Sequence, residues 1–134
     1  MLRGLRPNLW RAPDNDAAWM LQDQTWKSTG GDAKLREFRF SEGSGGALIV
    51  NTVHRLGGNV TDFSTEYWVR GTGEILVNAH LNPLLEALPV LPRVGMNLVL
   101  PGEFKQLEWF GRGPHENYED PASRAHLSAT INLA

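Results

Sequence analysis

The chain contains no cysteine. That removes disulfides, thiolate nucleophiles and cysteine metal sites together. It fits a cytoplasmic protein, with the periplasm as the alternative. No run of 18 apolar residues occurs, so no membrane-spanning helix is expected. The opening MLRGLRPNLW lacks the apolar segment of a secretory signal. Basic residues do not outnumber acidic ones: 13 Lys and Arg face 15 Asp and Glu, for a net charge of −2. Nothing in that balance favours nucleic acid or an anionic membrane as a partner. The four histidines, His54, His80, His115 and His126, include no i, i+4 pair, and no metal site is expected. Neither a GxSxG elbow nor a GxxxxGK[ST] loop is present, which leaves a serine hydrolase and a phosphate-binding loop without support.

What is present reads as β-structure. At 134 residues, 41% hydrophobic and 21% charged, the chain is about one domain and should fold. LREFRF (35–40) and VTDFSTEYWV (60–69) alternate apolar and polar residues, and ALIVNTVH (47–54) is apolar and β-branched. EILVNAHL (74–81), RVGMNLVL (93–100) and FKQLEWF (104–110) continue the series. Such runs are strand signals. Between them stand SEGSGG, LGGN, RGTGE and LPGE, which are turn signals that suit antiparallel hairpins. The only helical candidate is 16–30, with Asp16 as a possible cap and Gly30 as a stop, and one or two turns are expected. A core of Phe63, Tyr67, Trp68, Leu76, Val77, Leu98 and Val99 is expected. The fold class is therefore all-β: an antiparallel sandwich with at most one short helix.

Two clusters carry polar chemistry. Asp14, Asn15 and Asp16 stand together, and Glu116, Glu119 and Asp120 lie within EWFGRGPHENYEDP (108–121). A glycosidase needs two carboxyls flanking one bond. Neither cluster shows neighbours that would separate two carboxyl pKa values. Helix capping and a solvated turn are the simpler readings, since Asp and Asn favour both. Sugar binding is better motivated. The chain has five tryptophans. An indole stacks on the C–H face of a sugar, while Arg, Asn and Asp bond its hydroxyls. Trp10–Arg11 and Trp109–Phe110 each adjoin a polar loop rich in glycine or proline.

Four motifs then point to one family. NLWRAPDND (8–16) resembles the N-[FL]-W-R-A-P-T-D-N-D stretch of the large glycoside hydrolase family 2 β-galactosidases. WKSTG (26–30) is similar to their W-K-x-A-G, and LPRVGMNLVLP (91–101) to their P-R-[IV]-G strand. EWFGRGPHENYEDP is similar to their W-[YF]-G-R-G-P-x-E-N-Y-x-D-R. The order matches and the motifs span 8–121. One residue, often Thr, is missing between Pro13 and Asp14. The resemblance implies the N-terminal half of the family's C-terminal β-domain, a galactose-mutarotase-like supersandwich, so that 1–134 is one incomplete domain. It implies no catalytic residue here, because the family's two catalytic glutamates lie on a separate barrel. The chain alone should be inactive. Its role would be to pack on the catalytic barrel domain or subunit and shape the galactoside pocket. Trp10, Arg11, Asp14, Asn15 and Asp16 would form the pocket rim, with the bordering loop at roughly Ala17 to Gln22. Trp109, Gly111, Arg112, Gly113, Pro114, Glu116, Asn117 and Tyr118 would form a structural loop. The family's Mg²⁺ and Na⁺ would be bound mainly elsewhere, so no cofactor is expected in this chain. A homo-oligomer is a further expectation, and a free-standing carbohydrate-binding module is the alternative.

Overall fold

A computed structural model describes residues 3–12, 25–29, 31–113 and 126–132. They form eight strands, one α-helix and a 3-10 turn at Ser44–Gly46. The strands are β1 (Arg3–Asn8), β2 (Lys34–Glu42), β3 (Leu48–Leu56), β4 (Thr61–Val69), β5 (Ile75–Pro83), β6 (Gly95–Val99), β7 (Gln106–Gly113) and β8 (His126–Asn132). The helix α1 (Thr25–Thr29) is five residues long. The expected class, all-β and largely antiparallel with one short helix, holds. All six expected strands are present. β1 and β8 are additional, and α1 occupies the C-terminal part of the expected helix. None of the described helices is long and apolar enough to cross a membrane.

The strands form three sheets: β1 with β6, β2-β3-β4-β5, and β7 with β8. The chain divides into two compact units, Leu5–Asn97 on the one hand and Met1–Gly4 with Leu98–Ala134 on the other. The four-stranded meander lies in the first. Its hairpins follow from the turn residues. Gly45 and Gly46 between β2 and β3, Gly57 and Gly58 between β3 and β4, and Gly73 between β4 and β5 all have positive φ, a backbone region that glycine enters without steric cost. The β3–β4 turn is closed by the Val60 N–H donating to the Leu56 carbonyl at 3.2 Å.

Period-2 alternation gives the meander one apolar face and one polar face. The register places Phe38 and Phe40, Leu48 and Val50, Phe63 and Tyr67, and Val77 and Leu81 on one side. Arg39, Asn51, Arg55, Asp62, Ser64, Glu66, Asn78 and His80 fall on the other.

The core lies at one end of the apolar face. Leu56 and Phe63 are buried there with Leu9 and Trp26, and Trp10, Ala33, Val60, Leu81, Leu88, Leu91 and Met96 pack around them. Trp26 explains why α1 sits where it does. Its side chain is buried, its Nε1 donates to the Pro89 carbonyl at 3.2 Å, and Thr29 Oγ1 donates to the Trp26 carbonyl at 2.7 Å. A buried indole thereby keeps its one polar group partnered. The expected core was only partly right. Phe63 is buried, whereas Leu76, Leu98 and Val99 are each about half exposed, and Tyr67, Trp68 and Val77 are partly exposed. Leu76 and Trp68 fall on the same side as Glu66 and Asn78: the expected core joined neighbours such as Tyr67 and Trp68, which a strand places on opposite faces.

Candidate functional site

The two faces of the β2–β5 sheet offer different chemistry. Among the described residues, the apolar face is covered where the core packs. Away from it, Phe38 is 57% exposed, Phe40 70% and Ile75 56%, with Leu35 and Leu48 also exposed. The Phe38 and Phe40 rings stand together, with centroids 6.2 Å apart. Monomeric proteins rarely leave such contiguous apolar surface open, so a patch of this kind marks an interaction site. Beneath it, the Thr52 hydroxyl is buried without a hydrogen-bond partner among the described residues. His54 lies on the same side, and burial, followed by the nearby charge of Arg6, lowers its pKa below the usual histidine value. Both effects favour neutral imidazole.

The polar face is organised by carboxylates. Arg55 grips Asp62 through Nε and through Nη2, the latter at 3.1 Å, and Nη1 donates to Asn59 Oδ1 at 3.0 Å. Glu66 Oε1 accepts from Trp68 Nε1 at 2.8 Å and from Asn78 Nδ2 at 3.2 Å. Those two hydrogen bonds, Trp68 first, hold the Glu66 carboxyl below its ordinary pKa against burial. Asn82 Nδ2 donates to Ser64 Oγ. Between these groups lies a groove of about 250 Å³ lined by Asn51, Thr52, Val53, Ser64, Thr65, Glu66, Asn78 and His80. A second cleft, of about 410 Å³, lies in the other unit between Leu98 and Leu107 and is mainly apolar.

The Arg55–Asp62 pair makes a pH prediction. Hydrogen bonding from Arg55 is the main cause holding Asp62 below its ordinary pKa. A carboxyl with a lowered folded-state pKa stabilises above its unfolded value, and that stabilisation fades as pH falls through the ordinary aspartate range towards the lowered value. Asp62→Asn should therefore lose stability at pH 7 and lose less on going from pH 5 to pH 3 than the parent chain. Urea unfolding across that range measures it, and parallel pH profiles would contradict the assignment.

The expected sugar-rim residues are only partly placed. Trp10 follows β1, is half-buried against the core, and carries Lys27 Nζ 5.4 Å from its ring centroid. Arg11 is half-buried beside it. Asp14, Asn15 and Asp16 lie outside the described residues, as does the bordering loop. Of the expected structural motif, Trp109 lies in β7 as the strand expected at 104–110 implies, and β7 runs on through Gly111 to Gly113. The β7–β8 register breaks between Phe110 and Gly113. Such an irregularity suits a Gly-x-Gly segment, because bulges favour glycine. Pro114, Glu116, Asn117 and Tyr118 lie outside the described residues. Trp10 and Trp109 belong to different units. Among the described residues no three acidic or histidine side chains gather as a metal site would require. The sequence reading missed the groove because its residues come from three strands, at positions far apart in the chain. Only the register brings them side by side.

Comparison with known proteins assigns the family. The family model described as beta galactosidase small chain matches residues 1–129. The chain is 31% identical over 128 residues to the β-galactosidase of Priestia megaterium, covering 93% of this chain and 12% of that protein. It is 34% identical over 115 residues to that of Lactobacillus delbrueckii subsp. bulgaricus, covering 83% of this chain and 11% of that protein. With the Vibrio cholerae enzyme the identity is 44% over 69 residues, covering 49% of this chain and 7% of that protein. The chain thus spans about an eighth of the first of these relatives, or less of the others. No solved structure matches it. A match over residues 1–129 covers nearly the whole sequence, and the chain belongs to the β-galactosidase small-chain family.

Proposed function

We propose that this chain is a non-catalytic part of a β-galactosidase, and that the open apolar face of its β2–β5 sheet docks on the remainder of the enzyme. The observation that carries this reading is the exposed cluster of Phe38, Phe40, Leu35, Leu48 and Ile75. The occupant follows from size: the related β-galactosidases are about eight times longer than the segment they share with this chain, so an apolar surface here has a large polypeptide to cover it. Burying one such side chain contributes roughly 1.5–3 kcal/mol. The parent reaction is retaining hydrolysis of terminal β-galactosides. This chain supplies no catalytic glutamate and no cofactor site. Trp10, Arg11, Asp14, Asn15 and Asp16 help form the rim of the galactoside pocket.

Complementation tests the proposal. The β-galactosidase of Priestia megaterium, with its matching segment removed, is mixed with this chain and assayed on a chromogenic β-galactoside. Hydrolysis should return with the parent chain and fall at least tenfold with the double variant Phe38→Ser, Phe40→Ser. Both side chains are exposed, so circular dichroism of the variant should match the parent. Hydrolysis by this chain alone, or equal restoration by the double variant, would overturn the proposal.

A further inference from the structure

The polar face of the β2–β5 sheet takes no part in that docking, yet it is not uniformly solvated. Its central groove is lined by two side-chain amides, a hydroxyl, a carboxylate and an imidazole, from Asn51, Asn78, Ser64, Glu66 and His80, with Val53 and two threonines. Among the described residues no Lys or Arg lines it, so it offers an anion no permanent positive charge, while the Glu66 carboxylate opposes one. Its lining sets these polar groups beside a larger share of apolar surface, which suits a ligand with both apolar and hydroxylated sides. A volume of about 250 Å³ lies just under the range for drug-sized ligands and suits a single ring.

Two further details make the groove a built surface. Both donors to Glu66 bind Oε1, leaving Oε2 without a donor among the described residues. A carboxylate held this way is a fixed acceptor for hydroxyl groups. The same contact pins the Trp68 indole beside the groove. At the ring's other end, Gly43 makes room: a Cβ there would lie 3.2 Å from Trp68 Cζ3 and 2.9 Å from Ile49 Cδ1. Trp68 remains partly exposed. A pinned, partly exposed ring next to fixed donors and acceptors matches the two sides of a sugar, one C–H-rich and one hydroxylated.

We propose that this groove binds one neutral pyranose unit of a carbohydrate, with Trp68 against the ring and Asn51, Glu66, Asn78 and His80 bonding its hydroxyls. The site is separate from the pocket rim at Trp10 and Arg11. It holds sugar without cleaving it, as a secondary contact for a glycan.

Titration of the ¹⁵N-labelled chain with methyl β-D-galactopyranoside and with lactose tests this. Saturable amide shifts should appear at residues 51–53, 64–68 and 78–80, with a dissociation constant on the order of millimolar. Asn78→Ala, at an exposed position, should weaken binding about tenfold without altering the rest of the spectrum. Glu66→Gln, which keeps the shape and removes the charge, should weaken it less. Absence of saturable shifts up to about 100 mM sugar would overturn the proposal. So would shifts confined to Trp10 or Trp109, or an unchanged dissociation constant in Asn78→Ala. The docking proposal is read by restored hydrolysis instead, so either reading fails without the other.

Discussion

Phe63→Ala is expected to lower the free energy of unfolding by about 3–5 kcal/mol, the range for truncating a buried aromatic side chain. Phe63 is 3% exposed and shares its cluster with Leu9, Trp26 and the fully buried Leu56. The cluster joins four separate parts of the chain: the segment after β1, α1, the end of β3 and the start of β4. A void at its centre leaves all four short of contacts, and sheet geometry limits how far they can close in. Domains of this size are stable by about 5–15 kcal/mol, so this one substitution removes a large share. Guanidinium unfolding followed by tryptophan fluorescence measures it, and Trp26 is itself a reporter in the same cluster. A loss under about 1 kcal/mol would show that the cluster is not the centre of the core. The exposed Phe40 is the matched control: Phe40→Ala should change the stability of the isolated chain by no more than about 0.5 kcal/mol.

Gly57→Ala is expected to cost about 1–3 kcal/mol, in the range for a residue forced into a sparsely populated backbone region. Two effects combine. Gly57 has φ +55°, where a Cβ is strained. An added Cβ would also lie 3.0 Å from both Thr29 Cγ2 and Val60 Cγ2. Thr29 is fully buried and its hydroxyl is committed to the Trp26 carbonyl, so it yields poorly. Gly58 separates the two effects. It has φ +72°, and a methyl group added there would have no atom within 4 Å, so Gly58→Ala meets the backbone cost alone. The difference between the two variants in thermal or denaturant unfolding reports the packing of α1 on the β3–β4 turn. Equal losses would mean that Thr29 moves aside freely.

Much of the fold was legible from local pattern. The alternation in LREFRF and VTDFSTEYWV, bounded by SEGSGG, LGGN and RGTGE, specifies a meander, because side chains alternate at period 2 and glycine supplies the turn conformations. β1 was not legible, since RGLRPN has no alternation and contains a proline, a poor strand signal. β8 did carry a signal, with Leu127, Ala129 and Ile131 alternating against Ser128 and Thr130, but it follows a long polar stretch. The core was harder. Trp68 and Leu76 are as apolar as Phe63, yet they sit among Glu66 and Asn78 on the polar face, and hydrophobicity alone does not say which alternate residues face inward.

The sequence by itself determined the family, the all-β class and the positions of the hairpins, because motifs, alternation and turn residues act over a few positions along the chain. Only the tertiary structure decided which apolar residues are covered and which stay open, and only it assembled the groove between Asn51, Glu66 and Asn78. Those outcomes rest on strand register and on what packs over each face. They join residues up to 29 positions apart in the groove and up to 54 among the buried core residues, beyond the reach of any local pattern.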